Sequence, residues 1–178
     1  MKRGNEMTDW ELLEAVNSAK ENFGNKCNKY TGSLTVELLK YGIEETGIHL
    51  SSRDSFILSI SREIDLIIPK PGVESKNGIL YEAKDVLGII EVKNYGSFGE
   101  PTLNSIRENF SMITNANPMI YCIYVTLAER HGYNWAVTKE NIKYPAYTLF
   151  WQKGKVYSSS GDWENLIADI RTLIEKNT

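Results

Sequence analysis

Three ionisable residues stand at the ends of two strongly apolar segments of the sequence. Asp65 directly precedes three aliphatic residues, and Glu91 and Lys93 follow a second aliphatic run. Residues two apart on a strand project to the same face, so Glu91 and Lys93 point the same way while Val92 turns into the core. If the two segments pair in a sheet, Asp65 stands beside Glu91.

Two adjacent carboxylates and an ammonium group suggest a site for a hard divalent cation. Carboxylates in contact repel each other and raise each other's pKa unless a cation or a proton intervenes. Mg²⁺ and Mn²⁺ prefer oxygen ligands and keep several waters, which suits Asp65 and Glu91. The ammonium of Lys93 can orient a metal-bound water or stabilise charge that develops on a phosphate. The pattern therefore predicts a Mg²⁺ site in which Mn²⁺ can substitute.

The hydrophobic periodicity predicts the elements that position these residues. Helical spacing and turn residues predict two helices, three strands, a helix, two strands and a last helix. A polar connection is expected at 73–85, and a capping box at 8–11 is expected to begin the first helix. The predicted spans are 9–23, 34–45, 56–60, 64–68, 86–92, 101–114, 119–125, 147–151 and 162–176, with a tight turn at 153–155 leading to Val156 and Tyr157. The predicted class is α/β, with a mixed central sheet flanked by helices on both faces.

These residues and the order of these elements resemble the PD-(D/E)XK phosphodiesterases, which have the restriction-endonuclease-like fold. Asp65 and the triplet Glu91-Val92-Lys93 match the motif, each at the end of an apolar strand. The helix that opens at Thr31-Gly32-Ser33 supplies Glu37, which resembles the acidic residue that these proteins carry before the sheet.

The resemblance covers an αβββαβ core at about residues 31–127, within a single domain at 1–178. The helix at 9–23 and the strands and helix at 145–176 are additions to that core. The sequence departs from the motif at its first letter, because Ile64 stands where the eponymous proline would be. Many branches lack that proline, so the departure affects recognition more than it affects the chemistry.

The resemblance implies a Mg²⁺-dependent nuclease that hydrolyses phosphodiester bonds in nucleic acid, with DNA favoured over RNA. Asp65, Glu91 and the backbone carbonyl of Val92 would hold the metal ion. Lys93 would position or activate the attacking water. Glu37 would hold a metal-bound water or help to bind a second ion. A homodimer or a separate targeting subunit is also consistent with the resemblance.

A second group of candidate residues lies mainly in a basic, aromatic segment at 130–155. Basic groups suit phosphates and flat aromatic rings suit unstacked bases, so the segment suggests contact with nucleic acid. The alternative, which the strand propensity of aromatic residues favours, is a core strand with a solvated rim of lysines. The predicted nucleic-acid-binding residues are Arg62, Lys139, Lys143, Lys153 and Lys155.

Composition sets outer limits on the function. The chain has 178 residues, 42% of them hydrophobic, and a formal net charge of −3, which argues against a generic basic DNA-binding domain. No apolar run approaches the roughly 18 residues of a membrane span, and no secretory signal is visible. Cys27 and Cys122 lack a nearby partner, so we expect reduced thiols and a cytoplasmic protein.

Other interpretations of the same residues stay open. Asp65, Glu91 and Lys93 could form a cross-strand salt bridge without a metal or a substrate. Glu37 could pair with Lys40 or Tyr41 on a solvated helix face. The whole chain could be a nucleic-acid-binding or protein-interaction module that keeps the nuclease fold without turnover.

Overall fold

The computed structural model describes residues 9–23, 28–95, 100–132 and 135–178. The predicted capping box at 8–11 begins outside these ranges, and Cys27 lies outside them. Within these ranges, in chain order, the elements are α1 (Asp9–Phe23), α2 (Asn28–Glu45), β1 (Ser55–Ile57), β2 (Glu63–Ile64), β3 (Leu66–Pro69), β4 (Leu80–Tyr81), a 3₁₀ turn (Ala83–Asp85), β5 (Val86–Tyr95), α3 (Glu100–Ala116), β6 (Tyr121–Arg130), α4 (Trp135–Ile142), β7 (Ala146–Lys153), β8 (Val156–Ser159) and α5 (Asp162–Glu175).

The larger sheet has the strand order β3-β5-β6-β7-β8. Its three central strands β5, β6 and β7 run parallel, and the outer strands β3 and β8 pair antiparallel with β5 and β7. Parallel strands need crossover connections, and α3 and α4 supply them between the central strands. The sheet is therefore mixed, as predicted.

Helices cover both faces of this sheet, and each face has its own apolar core. One core joins α1, α2 and α5 to the side chains that include Ile90, Val92 and Leu149. The other joins α3 and α4 to the opposite side chains, which include Ile89 and Tyr124. Strands covered on both sides are apolar at successive positions, which explains the continuous aliphatic runs in the sequence. The predicted layering is confirmed.

Beside the central mixed sheet, the described strands form a second, smaller sheet that the sequence did not predict. The smaller sheet has the order β2-β1-β4, with β1 antiparallel to β2 and parallel to β4. The span predicted as one strand at 64–68 is interrupted at Asp65, so β2 belongs to the smaller sheet and β3 to the larger one. The stretch predicted as a polar connection contains β4 and the 3₁₀ turn.

One helix begins earlier than predicted, and another was not predicted. Helix α2 begins at Asn28, so Thr31, where the helix was predicted to open, lies inside it, and the Thr35 hydroxyl donates to the carbonyl of Thr31 one turn earlier. Helix α4 was missed. It has eight residues and several β-branched or aromatic types of low helix propensity, so its local signal is weak.

None of the helices in the described ranges is both long enough and apolar enough to cross a membrane.

Candidate active site

The break between β2 and β3 brings Asp65 next to strand β5. Strand β3 pairs antiparallel with β5 so that Leu66 is opposite Ile90, and continuing that register places Asp65 beside Glu91. The Asp65 carboxylate Oδ2 accepts a hydrogen bond from the backbone N–H of Val92 at 2.7 Å. Through this bond the backbone of β5 holds the Asp65 carboxylate in place.

Glu91 and Lys93 extend from the same face of β5. Lys93 Nζ lies 2.5 Å from Glu91 Oε1, and the exposed fractions of the two side chains are 41% and 15%. Val92, between them, is buried in the opposite core. The ion pair is open to solvent on the lysine side, so water and a substrate can reach it.

The Asp65 carboxyl is less acidic than an ordinary aspartate. Burial, followed by repulsion from the Glu91 carboxylate, raises its pKa from 3.8 to about 6. The Val92 N–H and the Lys93 ammonium act in the opposite direction, and Asp54 adds further repulsion. A buried carboxyl whose ionisation is also hindered by a neighbouring carboxylate is typical of a site that binds a cation.

The donor set at Asp65 and Glu91 fits a hydrated magnesium ion. A strand residue directs its N–H and C=O to the same side, so the Val92 carbonyl also faces Asp65. Among the residues that the structure describes, no group of three or more His, Cys, Asp or Glu could hold a metal ion. A site with two carboxylates and a carbonyl would complete its shell with waters, as Mg²⁺ usually does.

Glu37 pairs with an arginine that the sequence did not single out. Its Oε1 accepts from Arg53 Nε at 2.9 Å, and Arg53 Nη1 lies 3.2 Å from Asp54 Oδ2. The alternative pairing with Lys40 is not observed, because Lys40 contacts Glu44 at 2.7 Å. Arg53 and Asp54 directly precede β1. Their position next to a strand is the one feature of the sequence that could have marked them as candidate site residues. The metal-water role of Glu37 stays a prediction.

The structure does not gather the five predicted nucleic-acid-binding residues into one strip. Lys139 and Lys143 lie in and just after α4, before β7, whereas Lys153 and Lys155 flank the turn after β7. Eight residues of strand separate the two groups, which is about 25 Å along the sheet. Arg62 lies apart from both, immediately before β2.

Packing accounts for the described aromatic residues of this segment. Tyr144 contacts Phe110 edge to face at 4.9 Å between ring centroids, and Tyr147 is buried. Lys139 lies 3.6 Å from Asp162 and stacks over the Tyr147 ring at 5.6 Å. This arrangement supports the core-strand alternative for the aromatic residues. The ammonium of Lys139 is engaged by Asp162 and Tyr147 of the same chain.

Comparison with known proteins identifies similar structures but no similar sequence. No family model matches the chain, and no curated protein matches it. NucC of P. aeruginosa in its cAAA-bound form superposes with a TM-score of 0.64 at 9% identity, covering 92% of this chain and 88% of that one. NucC of E. coli gives 0.60 at 9% identity in its cAAA-bound form, covering 92% and 87%. Its apo form gives 0.50 at 11% identity, covering 96% and 91%.

The similarity extends over nearly the whole chain. NucC is a nuclease of the PD-(D/E)XK type. At this level of identity the comparison establishes the architecture, and it leaves the activity to be argued from the site. The chain has the restriction-endonuclease-like fold of the PD-(D/E)XK nucleases, as the sequence predicted.

Proposed function

We propose that this protein is a Mg²⁺-dependent nuclease that hydrolyses phosphodiester bonds in DNA. The observation that carries the proposal is the convergence of Asp65, Glu91 and Lys93 where two sheets meet. Burial, followed by repulsion from Glu91, raises the pKa of Asp65 to about 6, and Lys93 Nζ lies 2.5 Å from Glu91 Oε1. The nuclease architecture of the whole chain supports the same conclusion.

Each residue of the site has a defined task in this proposal. Asp65, Glu91 and the Val92 carbonyl would hold the ion, which supplies charge neutralisation and a water of lowered pKa. The Val92 N–H fixes the orientation of the Asp65 carboxylate through its 2.7 Å hydrogen bond. Lys93 keeps a positive charge at the mouth of the site, where it can donate to the attacking water or to a phosphate oxygen.

The salt-bridge alternative rests on the short contact between Lys93 and Glu91. A purely structural Lys93–Glu91 pair would leave the Asp65 carboxylate facing Glu91 without a cationic partner of its own, and would gain little at a solvent-exposed position. The module without turnover shares the fold and differs only in activity. Both alternatives are therefore decided by the same assay.

The test is cleavage of linear and supercoiled DNA by the purified chain, with Mg²⁺, with Mn²⁺ and with EDTA. We expect cutting with either metal, none with EDTA, and none in Asp65→Ala or Lys93→Ala, while circular dichroism stays unchanged. Lys76→Ala is the matched control, because Lys76 makes an equally short 2.5 Å ion pair with Glu82 on the exposed surface. Cutting that survives Lys93→Ala would refute the assignment.

Parallel reactions with single-stranded DNA and RNA test the choice of substrate. If RNA is cut and DNA is left intact, the proposed substrate changes from DNA to RNA, and the proposed Mg²⁺-dependent hydrolysis stays the same. The homodimer stays a prediction, which sedimentation of the same preparation tests.

A further inference from the structure

We propose that Arg53 binds a phosphate of the nucleic-acid substrate beside the Asp65–Glu91 site, and that Glu37 and Asp54 hold its guanidinium in position. This inference rests on the proposed nuclease function. It assigns the contact with the substrate backbone to the Arg53 guanidinium. Glu37 then acts indirectly, by positioning Arg53.

Strand register places Arg53 next to the carboxylates. Strand β1 pairs antiparallel with β2 so that Ser55 is opposite Ile64, and continuing the register puts Asp54 beside Asp65. The next strand places Asp65 beside Glu91. The three acidic residues thus follow one line across the junction of the two sheets, and the charge of Asp54 reaches Asp65 electrostatically. Arg53 is the residue adjacent to the outer end of that line.

Two carboxylates, one on α2 and one from the adjacent residue, orient the Arg53 side chain. Glu37 on α2 accepts from Nε at 2.9 Å, and Asp54 lies 3.2 Å from Nη1. A guanidinium carries five N–H donors in a rigid fork, so these contacts leave donors for a further anion. The side chain is 34% exposed. Asp54 itself has a φ of 56°, a left-handed conformation that is uncommon for a residue other than glycine and is often found at functional sites.

A phosphate is the anion that fits this position. DNA must approach a row of carboxylates, and cations close to that row are needed to offset the repulsion. In the proposed function Lys93 acts at the metal site itself, and the lysines at the ends of β7 lie elsewhere on the chain, so Arg53 is the cation next to the outer end of the row. Arginine suits phosphate because two parallel N–H donors match two phosphate oxygens.

The experiment measures DNA affinity against salt concentration by fluorescence anisotropy, in a Lys93→Ala background that prevents cutting. Arg53→Met should weaken binding about tenfold and reduce the slope of log Kd against log salt by about one, because one phosphate contact is lost. Arg53→Lys should restore the slope and only part of the affinity. Arg171→Met is the matched control, since Arg171 on α5 contacts the Thr46 carbonyl away from the site.

The role of Glu37 is measured by cleavage in the otherwise unchanged chain. Glu37→Gln should raise KM for DNA several-fold, while the Mg²⁺ concentration for half-maximal rate stays the same. Glu44→Gln is the matched control, because Glu44 lies on the same helix and is ion-paired with Lys40. A higher Mg²⁺ requirement at unchanged KM would instead give Glu37 the metal-water role and overturn its role here.

The outcomes separate this inference from the proposed function. If the wild type cuts DNA and Arg53→Met matches it in KM, with the salt slope unchanged in the binding assay, only the inference on Arg53 is overturned. If the wild type neither binds nor cuts nucleic acid with Mg²⁺ or Mn²⁺, both are overturned.

Discussion

Replacing Asp65 by asparagine should stabilise the metal-free protein at neutral pH. The folded-state pKa of Asp65 is about 6 against 3.8 ordinarily, which is a shift of about two units. At about 1.4 kcal/mol per unit, holding the charged carboxylate costs roughly 3 kcal/mol, reduced toward 1 by solvent screening at a partly exposed group. The asparagine carbonyl can still accept from the Val92 N–H, so the substitution removes the cost of burying the charge and, after it, the repulsion from Glu91.

The pH dependence of this effect has a definite sign. Below about pH 4, Asp65 is protonated in both the folded and unfolded states, so the carboxyl charge contributes no difference between the variants. Between about pH 4 and 6 the unfolded carboxyl ionises while the folded one stays protonated, so the wild type loses stability as pH rises. Above about pH 6 the advantage of Asp65→Asn should remain constant. Urea unfolding in EDTA across pH 3–8 measures the difference.

Magnesium should reverse the order of stability. A ligand that binds only the folded state at a hundredfold excess over its Kd adds about 2.7 kcal/mol. We expect that gain in the wild type and its loss in Asp65→Asn, measured by the same unfolding experiment. The gain requires no cleavage, so it tests the metal site independently of activity.

Glu82→Gln supplies a control of opposite sign. Hydrogen bonding to Lys76, and then the Lys76 charge, lower the Glu82 pKa, so its ionised form is favoured by folding. Stability from Glu82 is present above its unfolded pKa and lost as pH falls through its lower folded pKa.

A destabilised Asp65→Asn in EDTA at neutral pH would refute the reasoning on Asp65, because it would mean that Lys93 and the Val92 N–H outweigh burial and repulsion.

Three further predictions concern reactivity and packing. Lys93→Ala should lower the cleavage rate by up to about 10⁴-fold, so that no cutting is visible in the standard assay and only single-turnover measurements detect the remainder, with the melting temperature nearly unchanged. Gly88→Ala should destabilise the fold by about 1–3 kcal/mol in urea, because an added Cβ would lie 2.7 Å from the Tyr121 carbonyl oxygen; Gly32→Ala, with no atom within 4 Å, should not. Burial raises the pKa of Cys122 to about 12, so peptide mapping at pH 8 should show alkylation of this thiol only after unfolding.

Local sequence patterns identified most of the architecture for a physical reason. Elements that are buried on one or both faces carry apolar residues at a fixed period, and that period is visible without the fold. Strand β5 and helices α1, α3 and α5 are recovered within a few residues for this reason. Short elements such as α4 and β4 leave no such signal, since eight or two residues hold too few apolar positions to define a period.

The candidate site likewise contains residues that local sequence identifies and contacts that only the fold creates. Asp65, Glu91 and Lys93 could be identified from the chain itself, because a charge beside a continuous aliphatic run is costly unless it serves a purpose. The interruption at Asp65, its bond to Val92 and the bridge from Glu37 through Arg53 to Asp54 depend on strands and helices that meet only after folding. Residue type and local spacing therefore identified the reactive groups, whereas their partners were decided by tertiary pairing across 16 to 27 positions of chain, which no local pattern encodes.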